Sequence, residues 1–187
     1  LAIQNLIGYL CLKYLPSPLL RGLEDCAVLG EHDGRIAFTT DSYVVDPLFF
    51  PGGDIGALAV HGTINDLCMR GARPIALSLA LIIEEGFPLA DLERVIASVG
   101  RCSEEAGVAV VTGDTKVVPR GKADRLFINT AGIGMVSHRC EISGKRARPG
   151  DAVLVSGTLA DHGITIMSSP AGIAIGGDIK SDTHPPH

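Results

Sequence analysis

Residues 38–74 read FTTDSYVVDPLFFPGGDIGALAVHGTINDLCMRGARP. The stretch opens in an apolar, β-branched run over 36–40, which predicts a strand. On a two-residue period Arg35, Ala37, Thr39 and Asp41 share one face, so Asp41 ends the strand with a set direction. Pro51-Gly52-Gly53 breaks the chain, and Asp54 suits the N-cap of a helix beginning at Ile55. The helical period puts Leu58, Ala59 and Gly62 on one face, and the same count brings Asn65 and Asp66 there. A carboxylate on the packed side of a helix costs free energy unless a cation or hydrogen-bond donors meet it. A single inward Asp is most often a cap or half of an ion pair. A repeated setting is what points to a site.

Working outward, residues 1–15 have helical spacing, with Leu6, Ile7, Leu10 and Tyr14 on one stripe and Pro16 and Pro18 ending it. A short strand is expected over 27–29, with Glu24 and Asp25 just before it, then a turn at Asp33-Gly34. Beyond the opening stretch, Gly71 stops the central helix and 74–84 forms a long apolar strand. Residues 88–105 make an amphipathic helix with Leu92, Val95, Ile96 and Val99 on its apolar stripe. A buried strand over 108–112 runs into Gly113-Asp114-Thr115-Lys116, and 122–124 forms the tip of a hairpin whose second arm is 126–136. After a basic linker at 145–150, a strand is expected over 151–156 and a helix from about 159. Strands alternating with helices give an α/β (α+β) fold. The change of pattern suggests a first domain at 1–147 and the start of a second at 148–187.

With 46% apolar residues the chain can build a core, and a net charge of −5 with no basic run or aromatic-basic interleaving argues against a nucleic-acid surface. The apolar run at 77–83 is too short to span a bilayer and reads as a buried strand. Cys11, Cys26, Cys68, Cys102 and Cys140 are scattered and odd in number, which suggests a reducing, cytoplasmic setting with thiols as small core residues. The chain starts without Met and ends in SDTHPPH just after a new strand and helix begin, so it is expected to be a piece of a longer protein.

Asp25, Asp41, Asp66 and Asp114 share one setting, a strand end or an inward helix face. Mg²⁺ takes oxygen ligands and commonly bridges one or two carboxylates to substrate phosphates. Lys116, two residues beyond Asp114, suits a phosphate as a point charge. Together these are the parts of a metal-nucleotide site, although the four acids equally suit four separate caps. No G-x-x-x-x-G-K-[ST], H-E-x-x-H or G-x-S-x-G occurs, and Gly52, Gly53 and Gly56 lack dinucleotide-turn spacing. His61 lies off the Leu58/Gly62 stripe and reads as a packed or partly exposed histidine rather than a base.

The 38–74 block, with GLEDCAVL, GDTKVV and LVSGTLADHGI, resembles the HypE family of hydrogenase-maturation carbamoyl dehydratases. That family falls in the superfamily of aminoimidazole ribonucleotide synthetase and selenophosphate synthetase. The resemblance implies an N-terminal ATP-binding domain whose sheet pairs across a homodimer, followed by a second α/β domain. It implies ATP and Mg²⁺ as cofactors, with Asp25, Asp41, Asp66 and Asp114 as metal ligands. It places Asn65, Gly113, Thr115 and Lys116 with these acids at the nucleotide, and Asp66 and Lys116 in catalysis. It implies ATP-dependent dehydration of an S-carbamoyl group on a C-terminal cysteine to S-cyanide, with the carbamoyltransferase HypF and the HypC–HypD complex as partners. A sister enzyme of the superfamily, such as a selenophosphate synthetase or small-molecule kinase, is the alternative, as is a non-catalytic docking module. The family's Gly-rich N-terminal segment and its carrier cysteine have no match here, and Cys26 stands where the family usually has Ala.

Overall fold

A computed structural model describes residues 3–15, 33–155, 157–171 and 179–183. The expected strand over 27–29, the acids Glu24 and Asp25, and Cys26 lie outside the described residues. The elements are α1 (Ile3–Tyr14), β1 (Arg35–Tyr43), β2 (Phe49–Phe50), β3 (Gly53–Asp54), α2 (Ile55–Cys68), β4 (Ala72–Glu84), α3 (Leu89–Ala106), β5 (Ala109–Val118), β6 (Leu126–Val136) and α4 (Asp161–Ala171). α2 starts where Asp54 sets it, with the Asp54 carboxylate accepting the Ala57 N–H at 2.9 Å. α3 ends at Gly107, whose φ of 66° is the left-handed conformation that glycine adopts without steric cost.

The main sheet has the order β1-β6-β4-β5, with β6 antiparallel to both neighbours and β4 parallel to β5. The parallel pair needs a crossover, which α3 provides. The expected 122–124 hairpin is therefore not one: β6 leaves β5 and inserts between β1 and β4. The small residues of β6 explain the position, because this strand lies beneath α2. A Cβ at Gly132 would stand 2.9 Å from Thr63 Cγ2 and 3.0 Å from Leu67 Cδ1. Among the described residues the strand expected over 151–156 is not found either: residues 151–155 have no ladder partner and stand exposed.

Helices cover one face of the sheet. Leu77, Leu79, Leu81 and Ile83 of β4 point toward Val60 and Ile64 of α2 and Leu92, Val95 and Val99 of α3 in one buried core. Fully burying each such side chain contributes about 1.5–3 kcal/mol before the entropy cost of ordering it. The other face is bare among the described residues, and Ile36 and Phe38 of β1 are 74% and 67% exposed on it.

A chain of hydroxyls ties α2 to the sheet. The Tyr43 hydroxyl lies 3.1 Å from Thr63 Oγ1, which lies 2.5 Å from Thr130 Oγ1. Thr130 gives its own proton to the Ala59 carbonyl at 3.2 Å, so it accepts from Thr63, which in turn accepts from Tyr43. The network is buried, and Gly62 makes room for it: an added Cβ would fall on the Tyr43 hydroxyl. Burial pushes the Tyr43 phenol up to about 12, and the Asp41 charge acts in the same direction.

Two outcomes follow from this seam. Gly62→Ala gains up to about 1 kcal/mol of helix propensity but overpacks the Tyr43 contact at about 1–3 kcal/mol. Net destabilisation is expected in urea unfolding, while Gly144→Ala, with open space around its Cβ, stays within about 0.5 kcal/mol of the parent. The Tyr43 phenol is neutral in the fold above its unfolded value of about 10. Its stabilising contribution is thus complete below pH 10 and lost as pH rises toward 12. The stability advantage over Tyr43→Phe should shrink across that window, and a constant difference would contradict it.

Candidate functional site

Asp41 leaves β1 on the helix-covered side, in register with the buried Thr130. Its Oδ1 accepts the Ser42 N–H at 2.8 Å. Asn129 on the neighbouring β6 holds this strand end: its Nδ2 donates to the Asp41 carbonyl at 2.9 Å and to Ser42 Oγ at 3.0 Å. Asp66 is exposed, not packed as the helical count suggested. The reason is that β1 is the edge strand: the buried run of α2 through Thr63, Ile64 and Leu67 sits on the sheet, and Asp66 falls just past its margin. There the Thr39 hydroxyl donates to Asp66 Oδ2 at 3.1 Å. Thr39 and Asp41 share a strand face, so Asp41 and Asp66 stand on the same side of the sheet. Beside them, Asn65 Oδ1 is buried with no hydrogen-bond partner among the described residues.

The GDTK segment lies elsewhere. Gly113, Asp114, Thr115 and Lys116 are on β5, the opposite edge, three strand spacings or about 14 Å from β1. The register runs Asp41, Thr130, Leu79, Gly113 across the sheet, so Asp114, one residue on, faces the bare side. Lys116 shares that side, its Nζ 3.9 Å from Asp114 Oδ2, with both groups exposed. Such a pair is weak and leaves the Lys116 ammonium available to an anion. Within one chain, then, Asp41 and Asp66 come together with Asn65, while Asp114 and Lys116 come together across the sheet from them. Among the described residues these acids do not converge on one metal-sized cluster, and Asp25 lies outside the described residues. The donor set nonetheless suits Mg²⁺: two carboxylates and an orphaned amide oxygen are hard ligands.

Sequence reasoning missed Thr39 as a partner of Asp66 and Asn129 as the clamp on Asp41. Thr39 was reachable, because the alternation that oriented Asp41 orients it too. Asn129 was not, since nothing local says that β6 pairs with β1. His61 is buried, as a packed histidine should be. Asp161 opens α4, where it accepts the Thr158 hydroxyl. His162 Nδ1 lies 3.0 Å from Ser181 Oγ, and its ring meets Phe50 edge-on at 5.3 Å. These contacts, with the Ser181 N–H donating to the Pro51 carbonyl at 2.9 Å, seat His162 of α4 and Ser181 against the β2–β3 turn. Among the described residues no helix is long and apolar enough to cross a membrane.

The model of the AIR synthase related protein family, N-terminal domain, matches residues 23–136. The carbamoyl dehydratase HypE of Rhizobium leguminosarum bv. viciae is 53% identical over 97% of this chain and 52% of its own length. A solved structure of hydrogenase maturation protein HypE in complex with ATP superposes with a TM-score of 0.94 at 54% identity, covering 99% of this chain and 55% of that one. A structure of a HypE–HypF complex matches with a TM-score of 0.79 at 49% identity, over 96% of this chain and 58% of that one. The chain spans about half the length of the curated relatives it matches. It belongs to the AIR synthase related protein family, and these relatives, matched over nearly its whole length, are HypE proteins.

Proposed function

We propose that this chain is the nucleotide-binding part of an ATP- and Mg²⁺-dependent carbamoyl dehydratase of hydrogenase maturation. The observation that carries the reading is its likeness, over 99% of its length, to a HypE solved with ATP. On this reading residues 1–147 are the ATP-binding and dimerisation domain, and 148–187 begin a second domain. Asp41 and Asp66, with Asp25, hold Mg²⁺ in one chain, and Asp114 reaches it from the partner chain of the homodimer. Asn65, Gly113, Thr115 and Lys116 meet the nucleotide. When bound, the ion screens phosphate charge and polarises the transferred group.

The chain's own groups suit that task. Lys116 on an open strand edge offers a mobile point charge for a phosphate oxygen. The orphaned Asn65 Oδ1 offers a neutral ligand beside Asp66. Thr39 fixes the Asp66 carboxylate, which limits the rearrangement needed on binding. The substrate is an S-carbamoyl group on a C-terminal cysteine of the whole protein. Its carbonyl oxygen is a poor leaving group. Transfer of the ATP γ-phosphoryl to that oxygen makes it a good one; the C–O bond then breaks, the oxygen departs with phosphate, and the nitrogen loses two protons. The sulfur-bound carbon is left as cyanide, a ligand for hydrogenase iron.

The bare, apolar side of the sheet supports a homodimer. A sheet buried on one face by helices, with Ile36 and Phe38 exposed on the other, gains most from a second such face. HypF is the proposed carbamoyl donor partner, supported by the likeness to a HypE–HypF complex; HypC–HypD is the proposed acceptor. The compartment is the cytoplasm.

The test uses the full-length protein carbamoylated on its C-terminal cysteine and incubated with Mg-ATP. Intact mass should fall by one water, and only with ATP. Asp66→Ala should slow this about 10²-fold or more, on the scale of losing one transition-state contact, while circular dichroism stays native. Unchanged turnover in Asp66→Ala would remove Asp66 from the site. ATP consumption without loss of water would point to a sister enzyme, and no ATP consumption at all to a docking module.

A further inference from the structure

The seam between α2 and α3 carries a group of side chains that the acid site does not use. The helices approach closely at Gly56, where an added Cβ would stand 2.6 Å from the Val95 carbonyl oxygen and 3.1 Å from Val99 Cγ2. Further along both helices, His61 on α2 meets Cys102 and Glu105 on α3. An imidazole nitrogen, the thiol sulfur and a carboxylate oxygen of these three all lie within 4.8 Å of one another. Cys102 and Glu105 are three residues apart, so one helix face carries both. His61 and Cys102 are 4% and 3% exposed, whereas Glu105 stands at the water-facing rim.

We propose that His61, Cys102 and Glu105 form a binding site for a borderline divalent cation of the zinc class. The donors are one nitrogen, one sulfur and one oxygen, a set that zinc accepts and that Mg²⁺ does not favour. Tetrahedral zinc at its usual bond lengths holds neighbouring ligand atoms about 3.5 Å apart. The three groups need only close by about 1 Å from their widest separation, and the long, exposed Glu105 side chain has the freedom to do so. As the metal–sulfur bond forms, the Cys102 proton leaves to solvent. Thiolate and carboxylate then balance the two positive charges, with a neutral imidazole as third ligand. A neutral assembly is the kind that a dry helix seam tolerates. The fourth position opens toward water beside Glu105. The ion would clip α2 to α3 one helical turn before Asn65 and Asp66, and it would stabilise only the folded arrangement of the two helices. The site is independent of the nucleotide reading.

The test is titration of the tag-free, metal-stripped full chain with Co²⁺, then Zn²⁺. One Co²⁺ per chain should bind with a thiolate-to-cobalt charge-transfer band in the near ultraviolet, and Zn²⁺ should displace it and raise the melting temperature. Cys102→Ser should lose the band. Glu105→Gln, a surface change that leaves the core untouched, should weaken binding by about tenfold or more. No band, a band that survives in Cys102→Ser, or equal affinity in Glu105→Gln would each overturn the proposal. If Cys102→Ser fails to fold by circular dichroism, Glu105→Gln decides alone.

Discussion

The contact between α2 and the β1–β6 edge of the sheet sets the rest of the structure. It is made by a run of three buried hydroxyls, Tyr43, Thr63 and Thr130, ending on the Ala59 carbonyl. A buried hydroxyl left without a partner costs roughly 1–3 kcal/mol, so the run holds only if every member is met. Two glycines permit it. Gly62 leaves space for the phenol above, and Gly132 lets the helix settle onto β6 below. Because α2 is fixed this way, Asp66 emerges beside Thr39, and the two acids flanking that edge share one side of the sheet.

The same sheet divides the chemistry. Strand alternation sends Asp41 to the helix side and Asp114 to the bare side, with two strands between their own. No rotamer change carries either carboxylate through a hydrogen-bonded sheet. A nucleotide held by both groups must therefore pass around an edge, or meet one group from each of two chains. The bare face makes the second arrangement physically natural, since its exposed Ile36 and Phe38 gain more from an apolar partner than from water. Lys116 sits on an edge strand, so it remains at the rim of any such pairing.

The thiols follow burial rather than spacing. Burial pushes the Cys11, Cys68 and Cys102 thiols up, which favours the neutral thiol; Cys102 lies in the core, and Cys11 and Cys68 are half-buried against it. Scatter along the sequence suggested this. It did not suggest that Cys102 would face His61, because the two lie on different helices and meet only through the Gly56 crossing.

Local physics alone determined much of this protein. Asp54 as a cap, Gly107 as a stop, the apolar stripe of α3 and the face of Asp41 all follow from interactions within a few residues. The acids and Lys116 were legible as candidates for the same reason: a charge at a strand end carries its signal in its neighbours. The tertiary structure decided what depends on pairing. It placed β6 between β1 and β4 instead of against β5, brought Thr39 to Asp66 and Asn129 to Asp41, and left Asp66 in water. Strand order is a contest between distant partners, governed by which strand has the small residues to lie under a helix, and a one-dimensional period contains no term for it.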